Sequence, residues 1–300
     1  MQKEGGIILD GGTYIFQSGG KRIRPILLML TSMLCNYKGD ADILFAQIIE
    51  MVHTATLVHD DIIDGSTERR GRPAAHIAYG NNLTVLLGDY FFSKAMDMAI
   101  EFGNPKILKT LSQTMLQMIQ GEILDLVHNW DVALNEKTLI EIIEKKTAHL
   151  FSICTQIPAI LSGMNSDDEY ALKQFGFNVG IAFQLIDDLL DYTSNEQQLG
   201  KPAGIDLKEG KITLPLLYVL NKAQEHELSS VLPPIKNADY DNIDHQSLLS
   251  LMHKYDAFGY AKKTANKYAE SALSFLLNIN HNIHKSFLIS LVNFIISRDK

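Results

Sequence analysis

Three aspartates, Asp60, Asp61 and Asp64, interrupt the apolar run LVHDDIID (57–64), and the same spacing returns as Asp187, Asp188 and Asp191 in QLIDDLLD (184–191). Aspartate is a poor helix former, and like charges four residues apart on a helix cost about 0.2–0.5 kcal/mol per pair. A counter-charge from outside the helix must offset that. Helical geometry puts the first and last Asp of each motif on one face, one turn apart. Asp60 and Asp187 are 127 residues apart, so the motifs belong to separate helices; facing each other, these would form an acidic rim on a helical cavity. Carboxylates presented this sparsely, with room left for water and substrate oxygens, suit Mg²⁺ bound to phosphate better than a closed protein cage. One such motif alone reads as a solvated helix end. Its repetition in a similar apolar frame argues for a site.

His53, Asp60 and Asp64 are spaced i, i+7, i+11, which adds an imidazole to the acidic face. By itself His53 reads as a satisfied core or interface histidine. Small Ala55 and Thr56 stand just before the first motif and leave space beneath it. A metal site for phosphate also needs cations. Gly19-Gly20-Lys21-Arg22-Ile23-Arg24-Pro25 gathers three after a glycine pair, at a helix start whose dipole favours anions. Arg69 and Arg70, followed by Gly71-Arg72-Pro73, come soon after Asp64. Arginine forks match phosphate oxygens bidentately, whereas lysine acts as a point charge. Each cluster taken singly, like Lys145-Lys146-Thr147 or the Lys201/Lys211 loop, reads as surface charge. Together they describe a site for two polyanionic substrates, one clamped by metal so that its diphosphate leaves and one held by Lys, Arg and His.

The elements that must position these residues are helical. Asn104-Pro105 reads as an N-cap followed by proline, Ser166-Asp167-Asp168-Glu169 as a capping box, and Leu214-Pro215 as another helix start. Helices are expected near 21–36, 40–64, 81–102, 105–129, 136–163, 167–192, 213–226, 245–255, 257–278 and 283–297, with irregular stretches near 65–80, 194–212 and 230–243. Strand alternation and hairpin dipeptides are lacking. No low-complexity linker divides the 300 residues, so one all-α domain over 1–300 is expected.

Bulk properties narrow the classes further. The net charge of −8 excludes a generic nucleic-acid binder. Cys35 and Cys154 show no zinc spacing and read as buried thiols of a reducing compartment. PILLMLTSMLC (25–35) and FLISLVNFII (287–296) are too short to span a bilayer, and the glycine-bearing N-terminus does not resemble a signal peptide. A cytoplasmic protein is expected.

GGKRIRP, DDIID followed by RRG, KT, FQLIDDLLDY and GKPAGIDLKEGK occur in an order and spacing that resemble the trans-isoprenyl diphosphate synthases over about residues 17–300. The resemblance implies an all-α isoprenoid synthase fold of mostly antiparallel helices around a central apolar cavity, usually as a homodimer. It implies Mg²⁺-dependent head-to-tail (1′-4, trans) condensation of isopentenyl diphosphate with an allylic diphosphate. Two to three substrate-bridged Mg²⁺ ions are implied, with no nucleic-acid partner and at most transient membrane contact for product release.

Residue by residue, Asp60 and Asp64 match metal ligands of the first motif, with Asp61 in the same cluster. Asp187 matches the principal ligand of the second, with Asp188 and Asp191 supporting it. Lys21, Arg24, His53 and Arg70 match the isopentenyl diphosphate pocket. Arg69, Lys146, Thr147, Gln184, Lys201 and Lys211 match positions around the allylic diphosphate; Arg69 and Lys146 are carried over as catalytic together with Asp60, Asp61, Asp64 and Asp187. No protein base stands out, and the released diphosphate is the hypothesised proton acceptor. A bulky residue four or five positions before the first motif floors the cavity in short-chain members. Thr56 and Ala55 occupy those positions here, and no two-residue insertion interrupts the motif. Both features resemble octaprenyl-type enzymes, so a long product near octaprenyl is expected. Residues 1–18 read as a shortened leading helix.

Other readings are a medium-chain synthase (geranylgeranyl to heptaprenyl), the catalytic subunit of a heteromer, a class I terpene cyclase and a non-catalytic partner subunit. DDLLD and GGKRIRP argue against a cyclase, and the two intact motifs argue against a non-catalytic subunit.

Overall fold

The structure is a computed structural model that describes residues 2–196, 204–279 and 282–298. The chain folds into two compact units, Met1–Met115 with Ile157–Met164, and Leu116–Gln156 with Asn165–Lys300. Each carries one aspartate motif.

The first unit begins with α1 (Gln2–Gln17), α2 (Ile23–Leu34) and α3 (Ala41–Ile63), which ends at the first motif. Short α4 (Ala75–Tyr79) and long α5 (Asn81–Phe102) follow. α3 packs against α2 and α5 through a stripe that includes Phe45, Ile48, Ile49, Val52 and Ala55, all nearly or fully buried. Each such large aliphatic side chain contributes about 1.5–3 kcal/mol on burial. α1 was expected as a shortened helix. It lies on α5 through small residues: a methyl at Gly11 would sit 2.7 Å from a terminal methyl of Leu87, which would have to shift to admit it. Between α3 and α4, in a stretch expected to be irregular, Glu68–Arg69 (β1) and Arg72–Pro73 (β2) form a minimal antiparallel pair.

α6 (Pro105–Val127) starts as expected, with the Asn104 Oδ1 accepting from the N–H groups of Lys106 and Ile107. Next come α7 (Glu136–Ile143), a π-helical turn over Glu144–Ala148 and α8 (His149–Leu161), where one helix of 136–163 was expected. α9 (Ser166–Glu196) carries the second motif. Its cap is Asn165 and not the Ser166 box: Asn165 Oδ1 accepts from Asp168 N, while Glu169 is drawn inward to the Gln156 side chain. α10 (Ile205–Lys208), α11 (Leu214–Lys222) and α12 (Leu232–Lys236) are short; α13 (His245–Lys254), α14 (Ala257–Phe275) and α15 (Ile283–Ser297) complete the chain. α9 lies along α14, where Ala257, Ala261, Ala265 and Ala269 are buried and let the two backbones come close.

One expectation needs correction. Cys154 is buried, but Cys35 is only half-buried because it sits at the C-cap of α2. By length and composition α3 is apolar enough to cross a membrane, and eight of its residues are buried in the first unit, as in a core helix.

Candidate active site

In the first unit the two cationic clusters meet. Gly19 and Gly20 both have positive φ, and a methyl on Gly20 would lie 2.6 Å from a guanidinium nitrogen of Arg70. Glycine there lets Arg70 rest on the backbone of the turn. Arg22, in left-handed conformation at the start of α2, pairs with Glu50 and donates to the Phe16 carbonyl at 3.0 Å. Arg24 lies 2.9 Å from Nε2 of His53. An arginine can only donate, so Nε2 accepts and the imidazole proton is on Nδ1. The site enforces that state: burial, reinforced by Arg24, Arg70, Arg69 and Arg22, holds the His53 pKa well below its usual value. Burial, with Arg69 and Arg22 beside it, also lowers the Arg70 pKa.

Arg22 and Arg70 border a hollow of about 540 Å³, lined also by Arg69 and Arg72, with Glu50, Asp61, Phe16 and Leu57 among its other walls. It joins an excess of cationic charge to an apolar side. Of the four residues assigned to isopentenyl diphosphate, Arg70 lines it, Arg24 and His53 are bonded to each other, and Lys21 is exposed. Asp60 and Asp64 are half-buried and one turn apart, with Asp64 N donating to Asp60 O at 2.8 Å. Asp61 points elsewhere. It is buried and accepts from the guanidinium of Arg69, Nε at 2.8 Å.

In the second unit the π turn decides where the lysines go. Lys145 turns toward Glu141 at 2.8 Å, while Lys146 reaches Asp125 at 2.5 Å and Glu122 at 2.8 Å. Such π insertions concentrate at functional sites because the extra residue re-aims the side chains around it. Thr147 donates to Gln184 Oε1 at 2.9 Å, and Gln184 donates to Asp188 at 2.8 Å, a relay from the π turn to the second motif. A hollow of about 620 Å³ is lined by Lys146, Thr147, Gln184, Asp188 and Lys211 over an apolar base of Leu134, Leu139, Ile142 and Ile143. Asp191 accepts from the backbone of Ile205 and Asp206 at 3.1 and 3.0 Å, and Asp187 pairs with Arg298 at 2.8 Å. Lys201 lies outside the described residues.

Asp125, Asp206 and Glu122 were missed by the sequence reading. Asp125 and Asp206 line the second hollow, and Asp206 sits inside GIDLKEGK, from which only Lys211 had been singled out. The carboxylates crowd one another. Burial, then Asp187, Asp191 and Asp125, push Asp188 up to about 7 against its bond from Gln184; burial and Asp191 hold Asp206 well above the usual range. Burial also raises Asp191. Lys146 on Asp125 and Arg298 on Asp187 offset part of this charge, and a bound cation would offset more of it. Among the described residues no three His, Cys, Asp or Glu side chains converge into a closed metal cage. Hard oxygen donors with open positions fit Mg²⁺ completed by substrate oxygens and water.

The polyprenyl synthetase family profile matches residues 7–252 and so runs through both units. Octaprenyl diphosphate synthase of Escherichia coli (strain K12) is 35% identical over 289 residues, 96% of this chain and 89% of that one. The crystal structure of a decaprenyl diphosphate synthase from Rhodobacter capsulatus superposes with a TM-score of 0.92 at 32% identity, covering 98% and 90% of the two chains. A polyprenyl synthase from Caulobacter crescentus CB15, complexed with calcium and isoprenyl diphosphate, gives 0.90 at 33% identity, covering 97% and 89%. Products named among the relatives and the solved structures run from geranylgeranyl to decaprenyl diphosphate.

Proposed function

The chain belongs to the polyprenyl synthetase family and is a prenyltransferase, and on that premise we propose that it condenses isopentenyl diphosphate head-to-tail with an allylic diphosphate to build a long all-trans chain near octaprenyl. The observation that carries this reading is the pairing, within each unit, of one aspartate motif with a cation-lined hollow that has an apolar side.

Asp60 and Asp64 in the first unit, and Asp187 in the second with Asp188 and Asp191 supporting it, would each hold Mg²⁺, two to three ions in all; such ions supply charge neutralisation for a departing diphosphate. The chain's own residues do the rest. Lys146, Thr147, Gln184 and Lys211 bind the allylic diphosphate and present donors where negative charge accumulates as its C–O bond ionises. Lys201 belongs to the same assignment. Arg69, aimed by Asp61, adds a fork donor. Lys21, Arg24 and Arg70 hold the isopentenyl diphosphate, and neutral His53 orients Arg24. The apolar walls keep water from the allylic cation. The proton lost after attack goes to the released diphosphate. Ala55 and Thr56 set the length of the product.

Incubating the purified chain with Mg²⁺, farnesyl diphosphate and labelled isopentenyl diphosphate should yield a polyprenyl diphosphate near C40. A product of C20 to C35 would move the assignment to a medium-chain synthase, and no product without a second protein to a heteromer. The name of a Bacillus subtilis relative, heptaprenyl diphosphate synthase component 2, 33% identical, favours keeping that second reading. A cytoplasmic homodimer is proposed for the assembly. Supporting it, α6 exposes Leu116, Ile119, Ile123 and Val127 along one stripe.

A further inference from the structure

One buried cation has no place in the chemistry above. Arg298 follows α15, with its side chain only 1% exposed. Its Nε donates to the Ile295 carbonyl at 3.2 Å and its Nη2 to the Phe183 carbonyl at 3.3 Å. The guanidinium stacks 4.4 Å from the Phe183 ring centroid, and Nη2 lies 2.8 Å from Oδ1 of Asp187. Nη1 is buried without a hydrogen-bond partner. Phe183 and Asp187 are one turn apart on α9, so a single side chain grips a carbonyl, a ring and a carboxylate of the same turn.

An arginine stays charged even when buried. It therefore needs its carboxylate, and Asp187 is the one it has paired with. The pairing occupies one oxygen of Asp187, whose side chain remains 37% exposed. Two carbonyls and a ring anchor the guanidinium independently of Asp187, so the arrival of a cation on Asp187 does not release it. We infer that Arg298 is a positioning residue for the second motif: it fixes the Asp187 rotamer through Oδ1 so that the other oxygen faces the divalent cation, tying the end of α15 to the metal site. This rests on the reading of Asp187 as a metal ligand. A competing role, with Arg298 occupying the place of the cation, predicts the opposite sign on removal.

The test compares Arg298→Gln, Arg298→Lys, Asp187→Asn and the double variant Arg298→Gln/Asp187→Asn. Mn²⁺ binding in the presence of inorganic diphosphate, read by electron paramagnetic resonance, avoids dependence on turnover. Outer-shell partners of metal ligands typically carry about 10–100-fold in metal affinity. Arg298→Gln is expected to weaken Mn²⁺ binding by a factor in that range and to raise KM for the allylic substrate while leaving KM for isopentenyl diphosphate unchanged. Arg298→Lys should recover part of the loss, because its ammonium still reaches a carboxylate but cannot stack and fork. The double variant should bind no more weakly than Asp187→Asn, since the arginine acts through that carboxylate. Unchanged or tighter Mn²⁺ binding in Arg298→Gln, with a native circular-dichroism spectrum, overturns the inference, and so does simple additivity in the double variant. Normal Mn²⁺ binding in Asp187→Asn would instead overturn the metal assignment on which it rests.

Discussion

The Nε of Arg69 donates to Oδ1 of Asp61 at 2.8 Å, and that carboxylate is buried while its neighbours Asp60 and Asp64 are half-buried. In the proposed reaction the three aspartates of the first motif would therefore divide their work. Two share the face suited to a cation, and the third aims an arginine. Outer-shell and ligand roles separate in the metal dependence of turnover. Asp60→Asn and Asp64→Asn should each raise the Mg²⁺ concentration required for half-maximal rate. Asp61→Asn should lower kcat about 10–100-fold with little change in that concentration. A rate series against Mg²⁺ for the three variants distinguishes them, and an equal shift in Asp61→Asn would return Asp61 to the ligand set.

Product length should respond to Thr56 more cleanly than to Ala55. Ala55 has no exposed surface within its unit, whereas Thr56 is half-buried, with its hydroxyl donating to the His53 carbonyl at 2.8 Å. Forcing an aromatic ring into the Ala55 position overpacks a filled core and costs about 1–3 kcal/mol. Thr56→Phe is expected to fold with nearly native stability and to shorten the product by several isoprene units. Ala55→Phe should shorten it as well, but with a measurably lower denaturation midpoint. Chromatography of the products alongside urea unfolding gives both readings.

Gly180 and Gly176, one turn apart on α9, set the distance to the π turn and α8. A methyl on Gly180 would lie 2.7 Å from the Cα of Ala148 and 2.9 Å from the Cβ of Phe151, and one on Gly176 would press into the backbone at Phe151 and Ser152. These neighbours cannot swing aside as a flexible side chain would. Gly180→Ala should destabilise the protein by about 1–3 kcal/mol. It should also disturb the adjacent Thr147–Gln184 bond and so raise KM for the allylic substrate. Gly163→Ala, at a turn with open space around it but positive φ, tests backbone strain alone and should leave that KM unchanged.

How far this architecture was legible in the sequence depends on what made each feature. The aspartate motifs were visible because charge inside an apolar frame is costly and therefore conspicuous, and the long helices because their apolar period is strong. α1 was harder to bound, since Gly5, Gly6, Gly11 and Gly12 each lower helix propensity by about 1 kcal/mol relative to Ala. Its packing on Leu87 and Phe91 overrides that, and packing partners are not written in local sequence. The π turn at Glu144–Ala148 has no compositional signal. It arises where Gly121 meets the Lys145 and Lys146 backbone, a contact between distant segments. Asp125 and Arg298 carry no local signal for the same reason: the fold alone sets them against Lys146 and Asp187. The Asn165 cap displaced the Ser166 box because Glu169 found a buried partner in Gln156.

Acid should act on the second unit through His149. Burial, with Lys173 and Lys145 nearby, depresses its pKa from the usual 6.5 to about 4, and its ring packs edge-on against Phe177 at 5.2 Å. A histidine whose folded pKa is depressed is held neutral in the folded state, while the unfolded chain takes up a proton first. Its contribution to stability is therefore fully present above pH 6.5 and is lost as pH falls toward 4. At face value that shift corresponds to about 3 kcal/mol, and solvent screening of a partly exposed ring reduces it to the order of 1–2 kcal/mol. Glu144, next to the same ring in an open hollow, has its own pKa raised by burial and by Glu141, so its protonation partly offsets the loss in this window. His149→Gln removes the titrating group but keeps a polar side chain. Melting temperatures of the two proteins should differ little at pH 7.5, and by pH 4.5 the native chain should melt several degrees below the variant. Parallel melting curves across that range would show that His149 is not the titrating group.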